Sequence, residues 1–216
     1  MLPVIVIGAG GHGLVVADAL LAAGRRVIGF TDADPARHGR RVAGLPVLGG
    51  DDALVAHTAS DVLLANGIGG VGRRGGEPLR HRVQARLSQA GWRFTGVRHP
   101  SAVVSALATI EPCAQLLAAC VVQPGARVGT GAIVNTAAVV EHDAVVGAWT
   151  HVAPRALLCG DVEVGEMSHV GAGAVVRQGL RLGARTTIGA GAVVVRDFAG
   201  DGLLVGVPAA AMEANR

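Results

Sequence analysis

Asn135, Glu141, His142, Asp143 and His151 fall within one short stretch, VNTAAVVEHDAVVGAWTHVAP, from Val134 to Pro154. A histidine flanked by two acids has the makings of a general base. A neighbouring carboxylate orients the imidazole and stabilises its protonated form. A lone histidine at a turn is ordinarily just solvent-facing, and the flanking acids set His142 apart. A second chemistry uses the same rings: His142, His151 and His169 are spaced 9 and 18 apart. Three imidazoles plus water make a catalytic zinc pattern, but no H-x4-H or carboxylate ligand pair accompanies these. A third lies at the N-terminus, where VIVIGAGGHG carries Gly8, Gly10 and Gly13 as G-x-G-x-x-G. Asp32 follows at the distance expected of a ribose-binding acid, which reads as a dinucleotide site and hydride chemistry.

The elements that carry these residues decide among the three. Of 216 residues, 33 are glycine, half are apolar, 2% are aromatic and none is tyrosine. Such a core suggests many short, closely stacked elements. All 19 basic residues are arginine, which excludes lysine Schiff bases and Walker-type phosphate sites. The charge of +3 is spread without basic runs or interleaved aromatics, so no nucleic-acid partner is expected. Cys113, Cys120 and Cys159 are odd in number and lack metal spacing, as in a reduced, cytoplasmic protein. The apolar N-terminus has no basic leader and reads as strand plus helix rather than a signal peptide. No stretch is long enough for a membrane span.

Up to about residue 98 the pattern alternates between strands and helices. Strands are expected at Val4–Ile7, Val27–Thr31, Asp61–Ala65 and Trp92–Val97. Helices are expected at Gly13–Ala23, with Leu14, Ala17 and Leu21 on one face, and at Glu77–Gln89. The loop NGIGGVGRRGGEP (Asn66–Pro78) has no regular structure of its own. This is a small α/β, Rossmann-like domain over residues 1–98, too short for a complete six-stranded dinucleotide fold.

From residue 99 to 216 the rhythm changes. Every sixth residue from Val104 to Val194 is a branched aliphatic, sixteen in succession. Four residues after most of them stands something small, such as Ala126, Ala132, Ala138, Ala144, Thr150 or Ala156, and glycine often follows the aliphatic directly. A period of six is the hexapeptide β-helix repeat. Three hexapeptides close one triangular coil, so sixteen give about five coils. The aliphatics point inward, the small residues sit near the corners, and glycine is expected to allow the turn.

Eighteen residues per coil place Gly160 directly over His142. His151 is half a coil away from His142 and cannot share its pocket within one subunit. Two prisms side by side could bring both histidines to one cleft, so an oligomer with sites between subunits is expected. A β-helix after residue 100 leaves hydride chemistry no substrate domain. A non-catalytic nucleotide-sugar-binding β-helix protein remains as an alternative.

The glycine-rich βα half with GAGGHG, the junction VRHPSAVV, the repeat with NT, EHD, VG and a later histidine, and the tail VGVPA (Val205–Ala209) together resemble a known group. It is the sialic acid O-acetyltransferase and bacillosamine N-acetyltransferase family of hexapeptide-repeat sugar acyltransferases. The resemblance spans essentially the whole chain. It implies a left-handed β-helix, a homotrimer, and acetyl-CoA lying between adjacent prisms with no metal. The acceptor it implies is a nucleotide-linked amino sugar of bacterial surface-glycan synthesis, with O-acetylation of sialic acid or another sugar as the alternative. Transfer would be direct, with His142 as base and Asp143 orienting it. Asn135 and His151 would contact the acyl donor, and the Gly160 N–H would lie near the thioester. Gly8, Gly10, Gly11, His12 and Gly13 would cradle the sugar nucleotide's diphosphate at a helix N-terminus, with Asp32 and Asp34 at the nucleoside. Two departures stand out: the loop after Asn66 is unusually rich in Gly and Arg, and the tail lacks the basic residue that often follows VGVPA, leaving Arg177, Arg185 and Arg196 as substitutes.

Overall fold

A computed structural model describes residues 1–69 and 78–212, which form two compact units. The first comprises residues 1–69 and 79–100; the second begins at Ser101.

The first unit is built on β1 (Val4–Ile7), α1 (Gly11–Ala22), β2 (Val27–Thr31), β3 (Arg41–Val42), β4 (Leu45–Gly49), β5 (Leu63–Asn66), α2 (Leu79–Gln89) and β6 (Val97–Arg98). The main sheet has the order β3-β4-β2-β1-β5. All its pairs are parallel except β3 with β4. Every residue of β1 is buried, as a central parallel strand covered on both faces requires. The β3–β4 hairpin was not anticipated. It turns on Ala43 and Gly44, both at positive φ, a two-residue turn whose twist suits paired strands.

Three expectations shift here. The buried face of α1 is Gly13, Val16, Ala17, Ala19 and Leu20, while Leu14 and Leu21 are exposed. Apolar residues surround most of this helix, so spacing alone did not choose the stripe. The segment expected as strand Trp92–Val97 contributes one bridge, Phe94 to Leu64, and β6 starts only at Val97. The strand expected at Asp61–Ala65 is Leu63–Asn66. The expected helix start at Glu77, and most of the loop before it, lie outside the described residues.

The second unit is the left-handed parallel β-helix. Two-residue strands stack into three sheets. The first runs from Val103–Val104 through Val139–Val140 to Val193–Val194, the second from Thr109–Ile110 through Val145–Val146 to Arg181–Leu182. The third contains Gln115–Leu116, Ile133–Val134, His151–Val152, His169–Val170 and Thr187–Ile188, and ends in Leu203–Val205 with antiparallel Ala210–Met212. Within the coils each strand pairs with the one eighteen residues on, as in Val121↔Val139 and Ile133↔His151. The aliphatic of every hexapeptide from Leu116 to Val194 is buried, and only Val104 and Ile110, at the start, are not. Where a corner residue is polar, the backbone satisfies it. Thr150 Oγ1 accepts from the Ser168 N–H at 3.1 Å, and Ser168 Oγ accepts from the Thr186 N–H at 3.0 Å.

Glycine has two separate jobs in these coils, one of them unexpected. The turn residue with positive φ comes three after the aliphatic: Ala119, Gly125, Gly131, Ala137, Asp143 and Trp149 continue that series. The glycine directly after the aliphatic instead permits close stacking. A Cβ on Gly147 would lie 2.5 Å from the Glu166 nitrogen and 2.6 Å from the Gly165 carbonyl carbon. These are backbone atoms that cannot swing aside. Gly147→Ala should therefore cost about 1–3 kcal/mol, the range for overpacking. Gly173→Ala, at φ +66 with nothing within 4 Å of the new Cβ, should cost only about 1–2 kcal/mol for the left-handed backbone. Urea unfolding of the two variants tests this ranking, and a reversed order would contradict it.

Candidate active site

The corner leading from the first sheet to the second carries His142 and Asp143. Four turns stack there, joined by three hydrogen bonds. The Asp143 N–H donates to the Pro124 carbonyl at 3.1 Å, the Asp161 N–H to the His142 carbonyl at 2.9 Å, and the Gly179 N–H to the Gly160 carbonyl at 3.0 Å. Asp143 occupies the positive-φ turn position, at 61°, a conformation that aspartate accepts more readily than most residues. From there its carboxylate reaches back to the preceding side chain. His142 Nδ1 lies 2.9 Å from Asp143 Oδ2. Of the two flanking acids, Asp143 is the one bonded to the ring.

The imidazole packs against Gly160. A Cβ at Gly160 would come within 2.6 Å of His142 Cε1 and closer still to Nε2, so only glycine leaves the ring its place. Among the described residues, no backbone acceptor takes the Gly160 N–H. Donation of the Nδ1–H to the Asp143 carboxylate raises the His142 pKa above the ordinary histidine value; partial loss of water opposes it, and the charges of Asp143, Glu141 and Asp161 add to the rise. Asp161 is held by Arg181, with Nη2 to Oδ1 at 3.0 Å.

Asn135 and His151 meet at a different place, beside the third sheet. The Thr136 N–H donates to Asn135 Oδ1 at 2.7 Å, which turns the amide nitrogen toward His151 Nε2 at 3.0 Å. Nε2 is therefore the acceptor, and the ring proton sits on Nδ1. The His151 and His169 rings pack edge to face with centroids 5.0 Å apart. Thus the prism yields two clusters, His142–Asp143–Gly160 and Asn135–His151, on separate faces. Among the described residues no group of three His, Cys, Asp or Glu side chains is placed to hold a metal ion.

In the first unit, Gly8, Gly10, Gly11, His12 and Asp32 line one cavity of about 480 Å³. Gly10 caps α1 without any side-chain hydrogen bond, so the first-turn N–H groups are left to a ligand or water. Asp32 fixes the glycine turn: Oδ2 accepts from the Ala9 N–H at 2.8 Å and Oδ1 from the Asp34 N–H at 2.9 Å. Two expected members lie elsewhere. Gly13 is buried behind the cavity, where a Cβ would collide with the Gly8 backbone. Asp34 caps the short helix at Pro35–Arg37 and pairs with Arg37 at 3.5 Å.

Residues 3–75 match the family described as the PglD N-terminal domain. No match is found among curated proteins. Among solved structures, a histidine-to-asparagine mutant of perosamine N-acetyltransferase from Caulobacter crescentus, in complex with CoA and GDP-perosamine, is 37% identical. The match covers 98% of this chain and 97% of that one at a TM-score of 0.89. This chain belongs to the hexapeptide-repeat sugar acetyltransferases. The acetyltransferase domain of PglB from Neisseria gonorrhoeae FA1090, solved with acetyl coenzyme A, is 34% identical over 97% of this chain and 98% of that one, at a TM-score of 0.87. WeeI from Acinetobacter baumannii AYE shares the fold, with a TM-score of 0.81 at 21% identity over 98% of this chain and 100% of that one.

Several residues of this acetyltransferase escaped the sequence reading. Gly67, Gly69, Asp51 and Arg86 line the cavity together with the glycine turn. A Cβ on Gly67 would lie 2.8 Å from the Gly13 Cα, and one on Gly69 would lie 2.6 Å from the His12 Cβ. The loop after β5 is glycine-rich here because it passes against the turn. Arg86 pairs with Asp51, which lies 3.4 Å from Thr31 Oγ1.

The raised pKa has a definite sign. His142 stays protonated at pH values where an ordinary histidine has lost its proton, and becomes a free base only above them. Asp143→Asn removes the principal cause and should move the midpoint of the His142 ring down toward 6.5. An NMR titration of the ring protons checks this, and an unchanged midpoint would contradict the dyad.

Proposed function

We propose that the protein transfers the acetyl group of acetyl-CoA to the amine of a nucleotide-linked amino sugar. The observation that carries this reading is the His142–Asp143 pair set against Gly160 in a chain of this family. His142 Nε2 removes a proton as the amine attacks the thioester carbon. Asp143, on Nδ1, fixes the ring and stabilises the imidazolium that forms. The Gly160 N–H donates to the oxygen on which negative charge develops. The thioester C–S bond then breaks, the thiolate of CoA leaves, and the imidazolium returns a proton to it. Transfer is direct, with no acyl-enzyme.

The diphosphate of the acceptor binds at Gly8, Gly10, Gly11 and His12, where the bare N-terminus of α1 favours anions. The cavity's volume and its Asp32 rim suit a nucleoside next to that diphosphate. The C. crescentus enzyme is a perosamine N-acetyltransferase solved with CoA and GDP-perosamine, which favours CoA as the acyl carrier and an amino-sugar nucleotide as the acceptor here. Residues 1–98 serve as the acceptor domain and 99–216 as the acyltransferase domain. Asn135 and His151 lie on a face away from His142, so they bind the acyl donor at the site of an adjacent copy. That arrangement calls for an oligomer with its sites between subunits, which the family resemblance makes a homotrimer. No described helix is long and apolar enough to cross a membrane, and both substrates are molecules of the bacterial cytoplasm, where we place the reaction.

His142→Ala should lower kcat by about 10²–10⁴, the usual worth of a general base, with oligomeric state and acetyl-CoA binding retained. Thiol release from acetyl-CoA with GDP- and UDP-linked amino sugars measures it. Near-wild-type turnover in that variant would reject His142 as the base.

A further inference from the structure

The stacked turns that hold His142 and Asp143 include one residue with no assigned role. Gly125 lies one coil below Asp143, eighteen residues earlier. A Cβ there would collide with Asp143 Oδ1 and lie 3.3 Å from its Cγ, while the nearest backbone atom, the Asp143 nitrogen, stays at 3.4 Å. The conflict thus falls on the movable carboxylate and leaves the fold intact. Oδ2 of the same carboxylate is the atom bonded to His142 Nδ1.

Backbone conformation does not by itself demand glycine at this turn. Gly125 has φ +75, but the equivalent turn residues one hexapeptide before and two after are Ala119 and Ala137, at φ 56 and 54. The chain therefore accepts alanine at this turn position elsewhere in the prism. Gly179 provides the matching case on the same corner three coils further on, with φ +75 and nothing within 4 Å of an added Cβ.

We infer that Gly125 is a positioning residue for the reaction, acting through Asp143: its missing side chain is the slot that lets the carboxylate lie against the His142 imidazole. With Gly160 clearing the ring from the coil above, the dyad is set by two glycines, each one coil from the residue it serves. This rests on the reading of His142 as base and Asp143 as its partner.

The test compares Gly125→Ala, Gly179→Ala and Asp143→Asn in the intact protein, over pH 5.5 to 9, with acetyl-CoA and an amino-sugar nucleotide that the wild type acetylates. Gly125→Ala should lower kcat on the order of 10- to 100-fold, as a shift near 1 Å in a catalytic group does, with the KM for each substrate within about twofold. The acid limb of its kcat/KM profile should move to lower pH, in the direction of Asp143→Asn. Gly179→Ala should leave both kcat and the limb as in wild type. If Asp143→Asn shifts the limb but Gly125→Ala keeps wild-type kcat and limb, the role of Gly125 is wrong while the dyad stands. Equal losses in Gly125→Ala and Gly179→Ala would also overturn it, since turn strain would then explain both. If Asp143→Asn changes nothing, the dyad reading falls and the role of Gly125 falls with it.

Discussion

The spacing of one coil over the next governs this molecule. Parallel strands stack about 4.8 Å apart, and every turn of the prism must pass over another at that distance. Side chains that point along the stack therefore meet backbone. Gly147 and Gly165 stand where nothing larger than hydrogen fits, and Ala126, Ala138, Ala144 and Ala156 fill the corners with the least volume. The unbroken aliphatic column supplies the apolar burial that holds the coils at this spacing. The backbone bonds from Val121 to Ala138 and from Val139 to Ala156, each 2.9 Å, repeat it coil after coil.

The same constraint builds the site. A side chain at a turn is confined by the turns above and below it, so its rotamer is chosen by what those neighbours lack. His142 rests where Gly160 has no side chain, and Asp143 where Gly125 has none. Rigid strands then present the dyad at a fixed corner, although both side chains remain more than half exposed. In the first unit the close approach of the loops at Gly8, Gly13 and Gly67 has the same origin: backbone meets backbone, and the cavity opens where the pressure is released at Gly10 and Gly11.

The period of six and the coil arithmetic are legible in the sequence, because each hexapeptide repeats one local rule over a long stretch. Gly160 over His142 followed directly from counting eighteen. Counting eighteen back from Asp143 would have found Gly125 too. The α/β unit was less transparent. Its two-residue turn at Ala43–Gly44 lacks the Asn-Gly signature, and α1 is apolar on too many sides to show its buried stripe. The G-x-G-x-x-G pattern marks a glycine turn leading into α1, and Gly13, which the resemblance places at the diphosphate, lies against the Gly8 backbone outside the cavity lining. Asp34 has the right residue type and position for a ligand contact, yet its carboxylate is spent on a local cap, which sequence spacing cannot report.

The proposed reaction is acetylation of the amine of a nucleotide-linked sugar. Mass spectrometry with NMR of the product formed from acetyl-CoA and a GDP- or UDP-linked amino sugar tests it most directly. One acetyl group on the sugar nitrogen, formed in equal amount to free CoA thiol, is the predicted result. Thiol release with the acetyl group on a hydroxyl, or no release with any amino-sugar nucleotide, would contradict it.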